Sequence, residues 1–156
     1  QLRGMTAPAL PVCIGIDNFH ADAIQLHAAA REAQKALLSC LRKGNVFIKF
    51  YDQINMEIFA DDIPDKTKHA YIHKIFSDYS EQELQEAIHT LEVFFEHDGS
   101  IARAAAALFI HKNTLQLHLR KIAQRTGYDP RSLRNSAVFY LVIYFYQDLH
   151  LLQQSL

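Results

Sequence analysis

The chain has 156 residues, 49% of them hydrophobic, with five glycines and four prolines, so it can bury a core and is neither disordered nor collagen-like. Its two cysteines, Cys13 and Cys40, form no CxxC pattern and read as reduced thiols, which excludes a disulfide framework. The net charge of −1 excludes a nucleic-acid partner only on average: residues 1–98 carry nine Lys/Arg and fifteen Asp/Glu, a net of −6, whereas residues 99–135 carry seven against one, a net of +6.

Residues 11–16, Pro-Val-Cys-Ile-Gly-Ile, read as a short buried strand, and proline breaks the apolar patch before them, so no signal peptide is expected. From about Ala21 to Arg42 the chain is rich in Ala, Leu, Gln, Lys and Glu, and a helix is expected there. Its apolar stripe is read as Ile24, Ala28, Arg31, Ala33, Leu37, Leu38 and Leu41, with Gly44-Asn45 as the stop. Val46–Tyr51 is β-branched and aromatic, hence a second strand. Strand, helix, strand is a crossover unit with parallel strands. Two strands make no stable sheet alone. Either strands are borrowed from a partner chain or the sequence opens partway through a domain. The second is favoured, because it starts without methionine and almost at once with a strand.

Residues 61–66, Asp-Asp-Ile-Pro-Asp-Lys, read as the boundary, followed by a connecting helix over about Thr67–Asp78. Ser80 and Glu83 then form a capping box, the serine oxygen accepting an amide while the glutamate reaches back. The helix they open carries Leu84, Ala87, Ile88, Leu91, Phe94 and Phe95 on one buried face and stops at Asp98-Gly99. Ser100 N-caps a short helix with Ile101, Ala104, Ala105 and Leu108 at one face. The alanines permit a second helix to cross closely. Phe109-Ile110-His111 makes the turn, with Ile110 toward the core.

The next helix runs from about Lys112 to Arg125, ending at Gly127. With about 100° per residue, Leu115, Leu119, Ile122 and Thr126 share the buried side, and Asn113, Leu117, Arg120, Lys121 and Gln124 the opposite one, flanked by Thr114 and Gln116. Two short helices about three residues apart, small residues at the crossing and a basic, amide-bearing outer face are the pattern of a helix-turn-helix. In such a motif Lys112, Arg120 and Lys121 supply charge for phosphates. Asn113 and Gln116 are the candidate base readers, and Ser100 with its helix start is a candidate phosphate contact.

The stretch 91–127 closely resembles the C-terminal DNA-binding domain of the PucR and carbohydrate-diacid regulator family, through Thr90-Leu91, Asp98-Gly99-Ser100, Ala105, Leu108 and above all Ile110-His111-Lys112-Asn113-Thr114-Leu115. It is also similar to the DNA-binding end of the factor for inversion stimulation. The resemblance covers about residues 80–150. His118 stands where the family has arginine, and Leu117 where tyrosine is usual. If the family's arginine holds a phosphate, His118 weakens that contact or makes it pH-dependent; a leucine at 117 can pack on a thymine methyl. The first half resembles the end of the degenerate cyclase-like domain that precedes this domain in the family, through Ile14-Gly15-Ile16, residues 33–37 and Phe50-Tyr51-Asp52, without the Gly-Gly-Asp/Glu-Glu-Phe signature of a cyclase. The family implies a bacterial transcription regulator whose inducer is sensed in a region this chain does not contain.

The last helix, about Leu133–Gln153, is apolar nearly all round over Ala137–Tyr146, a run far short of the roughly 20 residues of a membrane span. One face is expected on the helix carrying Phe94 and Phe95, and the rest is a candidate homodimer surface. His69 and His73 are spaced for a metal, but nothing else of a metal site accompanies them, and they read as a chance pair. No catalytic or cofactor-binding motif is found.

The expected fold is therefore mainly α: a small, incomplete α/β segment over 1–62, a connecting helix over 63–79 and a helix-turn-helix bundle over 80–156. The expected function is sequence-specific binding of double-stranded DNA by a cytoplasmic homodimer, without enzymatic activity, cofactor, metal or membrane. The DNA-binding set is Ser100, His111, Lys112, Asn113, Thr114, Gln116, Leu117, Arg120 and Lys121. The alternative is a ligand-binding or enzymatic module in the first half, with the helical half as an interaction domain.

Overall fold

The computed structural model describes residues 12–18, 25–43, 48–55, 57–60 and 62–154. Residue 11, residues 21–24 with Ile24, the expected stop at Gly44-Asn45, residues 46–47 and Asp61 of the expected boundary lie outside these ranges. The fold is mainly α with one two-stranded parallel sheet, and the chain divides into two compact units between Ile63 and Pro64.

In the first unit, strand β1 (Ile14–Ile16) pairs in parallel with β2 (Ile48–Phe50), Gly15 opposite Lys49, and helix α1 (Leu26–Lys43) makes the crossover between them. The helix lies directly on β1: a Cβ at Gly15 would run into the Ala33 carbonyl oxygen and the Leu37 backbone, so only glycine fits. This close approach corrects the expected stripe of α1. Its buried line is Ala36, Ser39 and Cys40, whereas Leu41 and Arg31 are exposed. Ala28, Ala33, Leu37 and Leu38 of the expected stripe are half-buried. Tyr51, expected in the second strand, instead opens a 3-10 turn, Tyr51–Gln53. A short helix, α2 (Glu57–Ala60), follows, and Lys35 on α1 bonds both the Ile58 carbonyl and Asp62 (2.9 Å to the carboxylate). Both cysteines are free thiols.

The second unit is helical. The expected connector is α3 (Asp65–Ile75), which packs along the final helix α7 (Leu133–Gln154). Between them lie α4 (Glu81–Glu96), α5 (Ile101–Ala107) and α6 (Lys112–Thr126). The capping box at Ser80 forms, with the Ser80 amide donating to Glu83 at 3.0 Å. Ala87, Ile88, Leu91 and Phe94 bury the inner face of α4, and Leu84 and Phe95 sit at its edge.

Helix α7 buries Phe139, Val142, Ile143, Phe145 and Leu149. Its partners are α3 as well as the expected α4. Tyr71 meets Phe145 edge-on at 5.7 Å, Phe76 meets Phe139 at 6.2 Å, and Phe95 stacks on Tyr140 at 4.6 Å. A buried ion pair pins α3 to α7: Lys68, 3% exposed, donates to Asp148, 80 positions later. No helix among the described residues is long and apolar enough to cross a membrane.

Candidate nucleic-acid interface

The α5–turn–α6 element is built by local rules. Ser100 Oγ accepts the Arg103 amide at 3.4 Å and starts α5. Ala104 and Ala105, both buried, let α5 cross α6 closely. The helix ends in a Schellman stop, the Phe109 amide donating to the Ala106 carbonyl (3.1 Å) and the Ile110 amide to the Ala105 carbonyl (3.0 Å). Glycine is the usual occupant of the left-handed residue in this stop. Here Phe109 takes it at φ 55°, with its side chain 95% exposed. Half-buried Ile110 follows.

His111 then N-caps α6, its ring Nδ1 accepting the Asn113 amide at 3.2 Å. The Thr114 and Leu115 amides turn back to the His111 carbonyl. Leu115, Leu119 and Ile122 form the buried face. Thr126 is half-buried, its hydroxyl donating to the Ile122 carbonyl at 2.8 Å, and Gly127 closes the helix at φ 78°.

The other side of α6 is open. His111, Lys112, Asn113, Thr114, Gln116, Leu117, His118, Arg120 and Lys121 are all exposed, Leu117 at 60%. Ser100 is half-buried, with its oxygen committed to the α5 cap.

The seven cations of residues 99–135 separate into two groups. Arg103 is paired with Asp98 and Arg131 with Asp129, at 2.9 and 2.7 Å. Arg125 donates to Glu83 at 2.8 Å and to the Asp78 carbonyl, and its guanidinium lies 3.6 Å above the centre of the Tyr79 ring. These three carry structure, which corrects the reading of the whole basic stretch as a footprint. Lys112, Arg120, Lys121 and Arg134 have no carboxylate partner among the described residues.

The clamp's electrostatics follow from its contacts. The Arg125 hydrogen bond, then the Ser80 amide, hold the Glu83 carboxyl down at about 2, and Glu83 in turn pushes Arg125 up. Burial raises the Tyr79 phenol. The Arg131 hydrogen bond lowers Asp129. A groove of about 320 Å³ runs beside the clamp between α4 and α6, lined among others by His89, Thr90, His118 and Lys121. The sequence reading missed both the clamp and the capping role of His111. The box at Ser80 marked Glu83 as a cap residue, but nothing in the local pattern tied it to an arginine 42 positions on.

Residues 87–144 match the family model of the PucR C-terminal helix-turn-helix domain. The proline-responsive transcriptional activator PutR of Bacillus subtilis (strain 168) is 26% identical over 137 residues, covering 84% of this chain and 33% of that protein. The purine catabolism regulatory protein of the same organism is 29% identical over 119 residues, covering 74% of this chain and 22% of that protein. This chain thus spans no more than a third of the length of these relatives. A solved structure, the regulator of polyketide synthase expression from Bifidobacterium adolescentis, aligns with a TM-score of 0.44 at 19% identity, covering 75% of this chain and 49% of that one. By this match, residues 87–144 of the chain are similar to the PucR C-terminal helix-turn-helix domains.

Proposed function

We propose that this chain is the DNA-binding end of a transcription regulator and that α6 enters the major groove of a duplex. The observation that carries the reading is the outward face of α6. Three cations without acidic partners, Lys112, Arg120 and Lys121, share it with the exposed amides of Asn113 and Gln116, on a helix anchored from behind by Leu115, Leu119 and Ile122. Cations of this kind meet phosphates, and amides in the major groove read base edges. Thr114 and Leu117 flank them, suited to a phosphate oxygen and a thymine methyl. Ser100 lies at the rim of the element, where its hydroxyl proton is free to be donated while its oxygen caps α5.

In this reading the protein works in the cytoplasm, without catalysis, as a homodimer on two half-sites, about 34–36 Å or a multiple apart. The outer part of α7, where Leu133 is exposed, is the candidate meeting surface. The strand–helix–strand unit is the end of a cyclase-like domain. The inducer is sensed by a region outside this chain.

The test is a titration of the chain onto duplex DNA at several salt concentrations. Binding that weakens with a slope of log K against log salt near −3 per protomer is expected for three phosphate-neutralising cations. Absence of any retardation at low salt would overturn the reading.

A further inference from the structure

The first unit holds the two cysteines of the chain together. Val12 and Ile14 are exposed, whereas Cys13 between them is half-buried and turns to the side of the extended chain that Gly15 presents to α1. Gly15 lies against the backbone of Ala33 and Leu37. Cys40 follows Leu37 by three positions and Ala33 by seven, so it shares their side of the helix, where it is fully buried. Strand and helix thus bring two residues 27 positions apart against each other, and their side chains share a hydrogen bond. Cys13 is half-buried and Cys40 is shielded, so an oxidant from solvent meets Cys13 first.

We infer that Cys13 and Cys40 are a redox pair, closed by hydrogen peroxide to a disulfide that ties β1 to α1 and reopened by a dithiol. The inference is independent of the DNA-binding reading. The Cys13 thiolate attacks one peroxide oxygen: an S–O bond forms, the O–O bond breaks, and the leaving hydroxide takes up a proton as water. The Cys40 sulfur then attacks the sulfur of the Cys13 sulfenic acid. The S–S bond forms, the S–O bond breaks, and a second water carries off the Cys40 proton. Two thiols and one peroxide become one disulfide and two waters, each sulfur giving up one electron. Sulfurs already in hydrogen-bonding contact close to a bond length of about 2.0 Å by side-chain rotation. Burial, and after it the hydrogen bond with Cys40 and the charge of Cys40, hold the Cys13 thiol above the ordinary thiol range. The pair therefore rests reduced near neutral pH and closes faster as the pH rises.

The experiment treats the full chain with hydrogen peroxide, unfolds it, alkylates every remaining thiol and measures the intact mass. The expected product is lighter by two hydrogens, takes up no alkylating group, gives a linked Cys13–Cys40 peptide on digestion and recovers both thiols with dithiothreitol. Closure is expected to run about ten-fold faster or more at about pH 9 than at about pH 7. In Cys13→Ser, Cys40 is expected to remain a thiol at the same dose, because its burial keeps the oxidant away. Two alkylated cysteines in the treated chain overturn the inference. So does oxygen gained on Cys13 while Cys40 is still alkylated, which makes Cys13 a solitary oxidation site, and so does a Cys13–Cys13 link between two chains. Loss of the Cys40 thiol in Cys13→Ser as fast as in the unchanged chain also overturns it, since Cys13 would then not be the sulfur that reacts first.

Discussion

The two ends of α6 carry similar charge and do different work. At its C-terminal end Arg125 is held by Glu83, the Asp78 carbonyl and the face of Tyr79. Over the first two and a half turns Lys112, Arg120 and Lys121 stand in solvent with no carboxylate against them. The difference lies in the neighbours: α4 offers its first-turn acid to one end of the helix, and among the described residues no carboxylate pairs with the cations of the other. A cluster of basic residues in a sequence is thus a mixture of fastenings and contacts, and only the fold separates the two.

The largest effect comes from removing the anchor that both ends share. Leu119 is fully buried, and Leu119→Ala should cost about 2–5 kcal/mol in a denaturant melt, abolishing the distinction because the helix loses its seat. Arg125→Ala should lower the thermal midpoint while leaving the salt slope of DNA binding unchanged. If the slope falls instead, Arg125 belongs with the contacts.

The same variant has an acid signature. Glu83 is held near 2 in the fold against an ordinary 4.5, so its share of stability is complete above about pH 4.5 and drains away as the pH falls toward 2. Without Arg125 that part of the acid limb should flatten, which a series of melts between those limits would reveal. Arg120→Ala should do the reverse of Arg125→Ala: stability within about 0.5 kcal/mol of the original, and a salt slope lower by about one unit. The smallest effect is expected for Asn113→Ala. Its affinity for arbitrary DNA should hardly move, whereas preference among selected sites should relax, and an unchanged preferred site would remove Asn113 from the reading set.

Much of the second unit was legible because its rules are local. A hydroxyl followed three residues later by a glutamate marked the start of α4, a 3.6-residue period marked the inner faces of α4 and α6, and Gly127 marked the end of α6. The outward residues of α6 follow from the same period, so the candidate face was readable before any coordinates. The buried line of α1 was legible only in part. Ala33 and Leu37, whose backbone meets Gly15, lay in the expected stripe, but the buried Ala36, Ser39 and Cys40 did not, and Leu41 is exposed. The pairing of Lys68 with Asp148 and of Arg125 with Glu83 was hidden. Attraction between charges 80 and 42 positions apart leaves no periodic trace. His111 as a cap escaped notice because imidazole is not among the residues that usually start helices.

The fastening of Lys68 to Asp148 bears on how this protein can be divided. A fragment cut to the matched stretch, 87–144, would lack both residues and the whole of α3, baring the apolar side of α7 around Phe139 and Val142. A cut that kept Lys68 but stopped short of Asp148 would remove the closer of its two carboxylate partners, leaving Asp65 at 3.6 Å, and with it the fastening of α3 to α7. The smallest piece that can stand alone therefore begins before Asp65 and extends beyond Asp148, wider on both sides than the segment by which its kinship is recognised.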